Sequence, residues 1–185
     1  MHESQAVRGR LLNPLLRGLA RLAVTPNHLT FLSLLAGLAF CPTFLWGWRV
    51  VAFTLLLAHV LLDGLDGPLA RHLGIASNQG SFSDTMADQV VVTFSTIAVM
   101  YAGHAGVWPG ALYIFSYGMV VAFAMVRNAL EIPYSWLVRP RFFVYAWLPF
   151  EVFLWPQTLD VLLWFLTFLL GIKMVTGFVQ IRRRM

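Results

Sequence analysis

The chain has 185 residues, of which 59% are hydrophobic and 11% charged, and its mean hydropathy is +0.73. That composition excludes an ordinary soluble domain and predicts a polytopic membrane protein with a single membrane domain. The formal net charge of +5 does not indicate nucleic acid, because the basic residues flank apolar segments instead of clustering with aromatics, and the single cysteine, Cys41, excludes an intrachain disulfide.

Residues 1–22 carry Arg8, Arg10, Arg17 and Arg21 among Leu11, Leu12, Leu15, Leu16, Leu19 and Leu22. The leucines recur at helical spacing, which predicts an amphipathic helix on an anionic membrane surface and sets residues 1–24 apart as a juxtamembrane segment. Arginines interrupt the apolar run and no small-residue cleavage site follows, which argues against a signal peptide. Thr25 and Pro26 form a helix start, an N-cap followed by proline at the first helical position, and open a first span over 27–46. A second span runs over 50–65, with Pro68 expected to kink or end its helix. Gly74, Ser77, Asn78 and Gly80 mark a polar connection over 72–80. A third span over 81–102 and a fourth over 108–126 are joined by the tight turn 103–106. After a polar stretch over 127–141 comes a fifth span over 142–155, short against the ~20 residues a spanning helix needs, so that it either takes in Pro140 and Arg141 or sits in a thinner region. Pro156 breaks it, and a sixth span over 159–179 leads to Arg182, Arg183 and Arg184. The expected fold is therefore all-α and polytopic: six transmembrane helices over residues 25–185, preceded by an amphipathic interfacial helix.

Six spans put both ends on one side. Eleven arginines fall on that side and only Arg49 on the other, with Lys173 inside the sixth span. The positive-inside rule then places both termini in the cytoplasm, and Trp46, Trp48, Trp108 and Trp155 at the far interface.

Four of the eight acidic residues, Asp63, Asp66, Asp84 and Asp88, lie in one stretch between the second and third spans. On a 3.6-residue helix Asp63, Asp66, Gly67 and Ala70 share one face, and Gly80, Asp84 and Asp88 share another. Two such helices facing each other would gather four carboxylates, whose repulsion divalent cations would relieve. Hard oxygen ligands suit Mg²⁺, Mn²⁺ or Ca²⁺, and paired ions of this kind clamp phosphoryl groups in transfer. Solvated aspartates in a polar loop are the plainer alternative, and a cation carrier or channel is a rival from another class. Carriers place such charges near the bilayer midplane, often on repeated halves. Here both pairs lie at one end of the spans without a second copy.

The pattern D-x2-D-G-x2-A-R-x8-G-x3-D-x3-D is matched at every fixed position by Asp63, Asp66, Gly67, Ala70, Arg71, Gly80, Asp84 and Asp88. In this the chain resembles the CDP-alcohol phosphotransferases, membrane enzymes that make phospholipids from CDP-linked donors. The resemblance implies transfer of a substituted phosphate from a CDP-linked lipid, such as CDP-diacylglycerol, to a polar alcohol with release of CMP. It implies two divalent cations, Mg²⁺ or Mn²⁺, on Asp63, Asp66, Asp84 and Asp88, with Asp88 as general base for the acceptor hydroxyl. Gly67, Ala70, Arg71 and Gly80 would receive the donor. Asn27 and Thr30, in a P-N-x-x-T pattern also similar to the family's first helix, would lie near the nucleotide or simply cap and support their own helix. The resemblance further implies a homodimer in the bilayer, while the basic asymmetry puts the site on the cytoplasmic side, expected to be that of a bacterial inner membrane, and the placing of the basic residues gives no nucleic acid as partner.

The acceptor is less legible. Arg127, Arg139 and Arg141 suit a phosphorylated acceptor such as glycerol 3-phosphate, or equally anchor topology. His59, one turn before Asp63, reads as a packed histidine more than as a ligand. His72 reads as a solvated loop residue and His104 as an interfacial one. Lys173 fits a pocket or a snorkelling side chain, and Glu131 and Glu151 have no assigned role.

Overall fold

The computed structural model describes residues 13–132 and 139–184, and every regular element among them is an α-helix. The order is α1 over 13–21, α2 Pro26–Leu45, α3 Arg49–His72, α4 Asn78–Tyr101, α5 Val107–Ala129, α6 Pro140–Phe153 and α7 Leu159–Arg182. Arg8, Arg10, Leu11 and Leu12 lie outside the described residues. Four helices, α2, α3, α5 and α7, are long and apolar enough to cross a membrane. Of the six expected spans, α6 falls short at 14 residues. The first three turns of α4 carry Gln79, Ser81, Ser83, Asp84, Thr85, Asp88 and Gln89, which lowers its hydropathy.

The chain forms two compact units: the described part of Met1–Thr43 with Trp48–Val91, and Phe44–Gly47 with Val92–Met185. In the first, Leu16 of α1, Leu29 of α2 and Leu69 of α3 make a buried cluster, with Leu19, Val24, Leu62 and Leu65 packed against it. The described N-terminal leucines therefore do not act as one membrane-facing stripe, since Leu16 turns into the protein while Leu15 and Leu22 are exposed. Gly37 of α2 lies against Val91 of α4, where a Cβ would stand 2.6 Å from either Val91 methyl. Only glycine permits so close an approach.

Pro68 does not end α3, which continues to His72. A proline inside a helix costs about 3 kcal/mol, an amount that tertiary burial of the next turn can offset, and Leu69 is fully buried there. The helix stops instead at Gly74, whose φ of +69° closes a left-handed cap. Ile75 N–H donates to the Ala70 carbonyl at 3.0 Å and Gly74 N–H to that of Arg71 at 3.2 Å. α4 begins earlier than its apolar run suggests. The Ser77 hydroxyl accepts from Gly80 N–H at 3.1 Å as its N-cap, so Gly80 lies in the first turn of the helix and not in a loop.

In the second unit α5 packs along α7, with Phe123 against Gly177 and Phe178. Val144 and Leu148 of α6 and Leu159 and Leu163 of α7 close around Ser95, Thr96 and Val99 of α4. Glu151, almost fully buried, fixes the turn between α6 and α7. Its Oε1 accepts from Gln157 N–H at 2.7 Å, and its Oε2 from Thr158 N–H at 2.9 Å, Leu159 N–H at 2.8 Å and the Thr158 hydroxyl at 3.2 Å. These are the amides that a helix start leaves without intrahelical partners. His104 Nδ1 stands 4.0 Å from the same carboxylate, and Asp160 accepts from Gly106 N–H at 2.7 Å at the start of α5. Glu151 therefore caps α7 across the loop that precedes it, and Asp160 reaches from α7 to the start of α5.

Candidate metal centre

The buried stripe of α3 runs Ala52, Leu56, His59, Asp63, Asp66, Leu69. Spacings of three and four residues put all six on one face, so the two aspartates occupy positions that periodicity assigns to core side chains. Each is only 5% exposed. From α4, Asp84 comes half-buried to meet them, and one oxygen from each of Asp63, Asp66 and Asp84 lies within 4.8 Å of the others. Asp88, one turn further along α4 and 8% exposed, is not in that group. Three of the four expected carboxylates converge, and the fourth lies one turn beyond Asp84 on α4.

Three carboxylates so close repel one another, and leaving the two buried ones unpaired would cost several kcal/mol per charge, on the order set by desolvation. A divalent cation removes that cost. The donor set is all oxygen, which fits Mg²⁺, Mn²⁺ or Ca²⁺ and disfavours softer metals. The Asp66 carboxylate is also oriented from both sides, since Thr30 Oγ1 donates to Oδ2 at 2.8 Å and Gly67 N–H to Oδ1 at 2.5 Å. A ligand held by outer hydrogen bonds presents its remaining lone pairs in a fixed direction.

His59 is packed, as its position on an apolar helix suggests: it is 1% exposed and its Nδ1 lies 2.8 Å from Ser33 Oγ. Asn27 is exposed, whereas Thr30 is half-buried on Asp66 and also reaches its own helix at the Pro26 carbonyl, 3.2 Å away. The exposed Arg71 folds back over α3, where a Cβ on Gly67 would be 3.5 Å from its guanidinium; Ala70 beside them is half-buried. In the second unit Arg127, in the last turn of α5, and Arg141, in the first turn of α6, are buried, while Arg139 is exposed. Arg141 is a helix residue, in line with a fifth span that takes in Pro140 and Arg141, because Pro140 starts α6. Lys173 is exposed, in keeping with a snorkelling side chain. The sequence reading missed Ser33, whose one available signal was its place one turn after Thr30 on an otherwise apolar helix.

Residues 23–179 match the family model described as CDP-alcohol phosphatidyltransferase. A CDP-diacylglycerol–serine O-phosphatidyltransferase of Mycobacterium tuberculosis is 34% identical over 112 residues, which cover 60% of this chain and 39% of that protein. A probable phosphatidylglycerophosphate synthase of the same organism is 31% identical over 137 residues, or 70% of this chain and 65% of that one. The matches thus span from about two fifths to two thirds of these relatives' length. The fold is that of M. tuberculosis phosphatidylinositol phosphate synthase. Its crystal structure with CDP-DAG bound superposes with a TM-score of 0.76 at 21% identity, covering 93% of this chain and 94% of that one. A second structure of that protein, in complex with manganese and citrate, gives 0.74 at 22% identity, covering 91% and 87%. None of these comparisons supports a cation carrier.

Proposed function

The chain belongs to the CDP-alcohol phosphatidyltransferase family, and from that premise we propose that it transfers a phosphatidyl group from a CDP-linked lipid, such as CDP-diacylglycerol, to a polar alcohol. The observation that carries this reading is the convergence within 4.8 Å of Asp63 and Asp66, both buried, and Asp84, half-buried. Those residues would hold two divalent cations together with Asp88. When bound, the cations supply positive charge at the donor pyrophosphate and at the developing negative charge of transfer.

The rest falls to the protein's own groups. Asp88, one turn from the three clustered carboxylates, takes the proton of the acceptor hydroxyl as its oxygen attacks the lipid-bearing phosphorus. The bond from that phosphorus to the bridging oxygen breaks, and CMP leaves. Thr30 and the Gly67 amide orient Asp66. Arg71 pairs with donor phosphate oxygens, and Gly67, Ala70 and Gly80, with little or no side chain, leave room for the donor beside Asn27. Arg127, Arg139 and Arg141 are the basic residues suited to a phosphorylated acceptor, such as a polyol phosphate.

The test is CMP release from purified protein given CDP-diacylglycerol, Mg²⁺ or Mn²⁺ and a panel of alcohols with and without phosphate. We expect activity that EDTA abolishes and Mg²⁺ or Mn²⁺ restores, since every clustered donor is a carboxylate oxygen. Full activity in a metal-free preparation would contradict the metal role, and exclusive use of uncharged alcohols would remove the three arginines from the acceptor site.

We further place α4 and α6 across the bilayer with the other four long helices, so that the aspartates and both termini face the cytoplasm, on the basic asymmetry of the sequence. With Cys41 replaced, a cysteine at the exposed position Val107 should be labelled from outside intact cells and one at Ile75 should not. The reverse pattern inverts the topology.

A further inference from the structure

α2 grips α3 at two places, and Asp63 lies between them. One is the hydrogen bond from Thr30 to Asp66. The other joins Ser33, 3% exposed, to His59, 1% exposed. Here three contacts coincide: His59 Nδ1 is 2.8 Å from Ser33 Oγ and 3.1 Å from the Ser33 carbonyl, and Ser33 Oγ is 3.1 Å from the His59 carbonyl.

Donor and acceptor chemistry fixes the hydrogens. A carbonyl only accepts, so the 3.1 Å contact with the Ser33 carbonyl requires a proton on Nδ1. That N–H is then shared between the Ser33 carbonyl and Oγ. The serine hydroxyl, accepting from Nδ1, keeps its own hydrogen for the His59 carbonyl. The alternative, a serine proton on an unprotonated Nδ1, would set two acceptors against each other. The result is a closed ring in which each residue both donates and accepts.

The ring reaches the metal centre through the backbone. In α3 the His59 carbonyl also receives the amide N–H of Asp63, four residues on. Ser33 therefore anchors the carbonyl that holds Asp63 in its helix, while Thr30, one turn before Ser33 on α2, holds the Asp66 carboxylate. We infer that the Ser33–His59 ring is a positioning device for the carboxylate cluster: it fixes α3 against α2 so that Asp63 and Asp66 face Asp84 in ligand geometry despite their mutual repulsion. His59 acts through Asp63 and not as a ligand. This rests on the metal reading of the three aspartates given above.

The test is a Mn²⁺ titration of the purified, detergent-solubilised full chain, read by the electron paramagnetic resonance signal of free Mn²⁺, with the melting temperature measured without metal. His59→Leu should weaken Mn²⁺ binding by about 10-fold or more, the lower end of what losing an outer partner of a metal ligand costs. His59→Asn, which places an amide N–H where Nδ1–H stands, should recover most of the affinity. Ser33→Ala, a small deletion that decides the matter if His59→Leu does not fold, should weaken binding by several-fold. Wild-type Mn²⁺ affinity in Ser33→Ala and in folded His59→Leu overturns the inference, even if both melt lower, since the ring would then support only the fold. Failure of the unsubstituted protein to bind Mn²⁺ overturns the metal reading, and the inference with it.

Discussion

Asp84→Asn and Asp63→Ala are each expected to abolish CMP release while leaving a folded, membrane-inserted protein. Both residues belong to the group whose oxygens lie within 4.8 Å of one another, so on the proposed metal role each substitution removes one ligand and one negative charge from the cluster. A loss of 10³-fold or more corresponds to about 4 kcal/mol of transition-state stabilisation, within the several kcal/mol a metal supplies to phosphoryl transfer. The effect on stability should be neutral or favourable, because without a cation the clustered carboxylates repel, and taking one away relieves that strain. The measurement is paired: rate of CMP release, and melting temperature of the same preparation in EDTA. Wild-type release from either variant would sink the assignment, and a variant that fails to fold would show that the carboxylates serve structure first.

The second large effect is on stability and lies in the other unit. Glu151→Ala strips three backbone amides, those of Gln157, Thr158 and Leu159, of the one carboxylate they share. Buried donors left without a partner cost about 1–3 kcal/mol each, less where water enters the gap, so a net loss of roughly 3–5 kcal/mol is expected. For a chain of this size that is a fall of about 10 °C in melting temperature. Glu151→Gln should land between wild type and Glu151→Ala: one oxygen can still face Thr158 and Leu159, while the new amide nitrogen cannot accept from Gln157. An unchanged melting curve for Glu151→Ala would mean that these amides find other partners when the carboxylate is gone.

Much of the candidate site was legible because helical periodicity is a local property. Aspartates three apart at 63 and 66, and four apart at 84 and 88, must share a face of any helix that contains them, and the apolar runs around them left little doubt that helices form. Composition pointed to a membrane protein, and the succession of long apolar runs to an all-α class. The element boundaries were less secure where a rule had to be weighed against packing. The rule for proline at Pro68 was outweighed by burial of Leu69, and Ser77 capped a helix whose first residues, 78–80, read as part of a polar connection.

Convergence was decided only in three dimensions. Spacing gives the direction of a side chain around its own axis, but not how far a neighbouring helix stands or which turn of it lies opposite. That is why four carboxylates on two matched faces yield a cluster of three, with Asp88 one turn beyond. It is also why Ser33, unremarked in the sequence, ties α2 to His59, and why Leu16 turns inward while Leu15 does not. Glu151 is the clearest case: a lone acidic residue in an apolar segment reads as an anomaly, and it becomes a cap only once the chain has turned at Pro156 and carried the first amides of α7 back to it. The local pattern fixed the faces; the distance between helices, set by the sum of all their packing, chose which atoms meet.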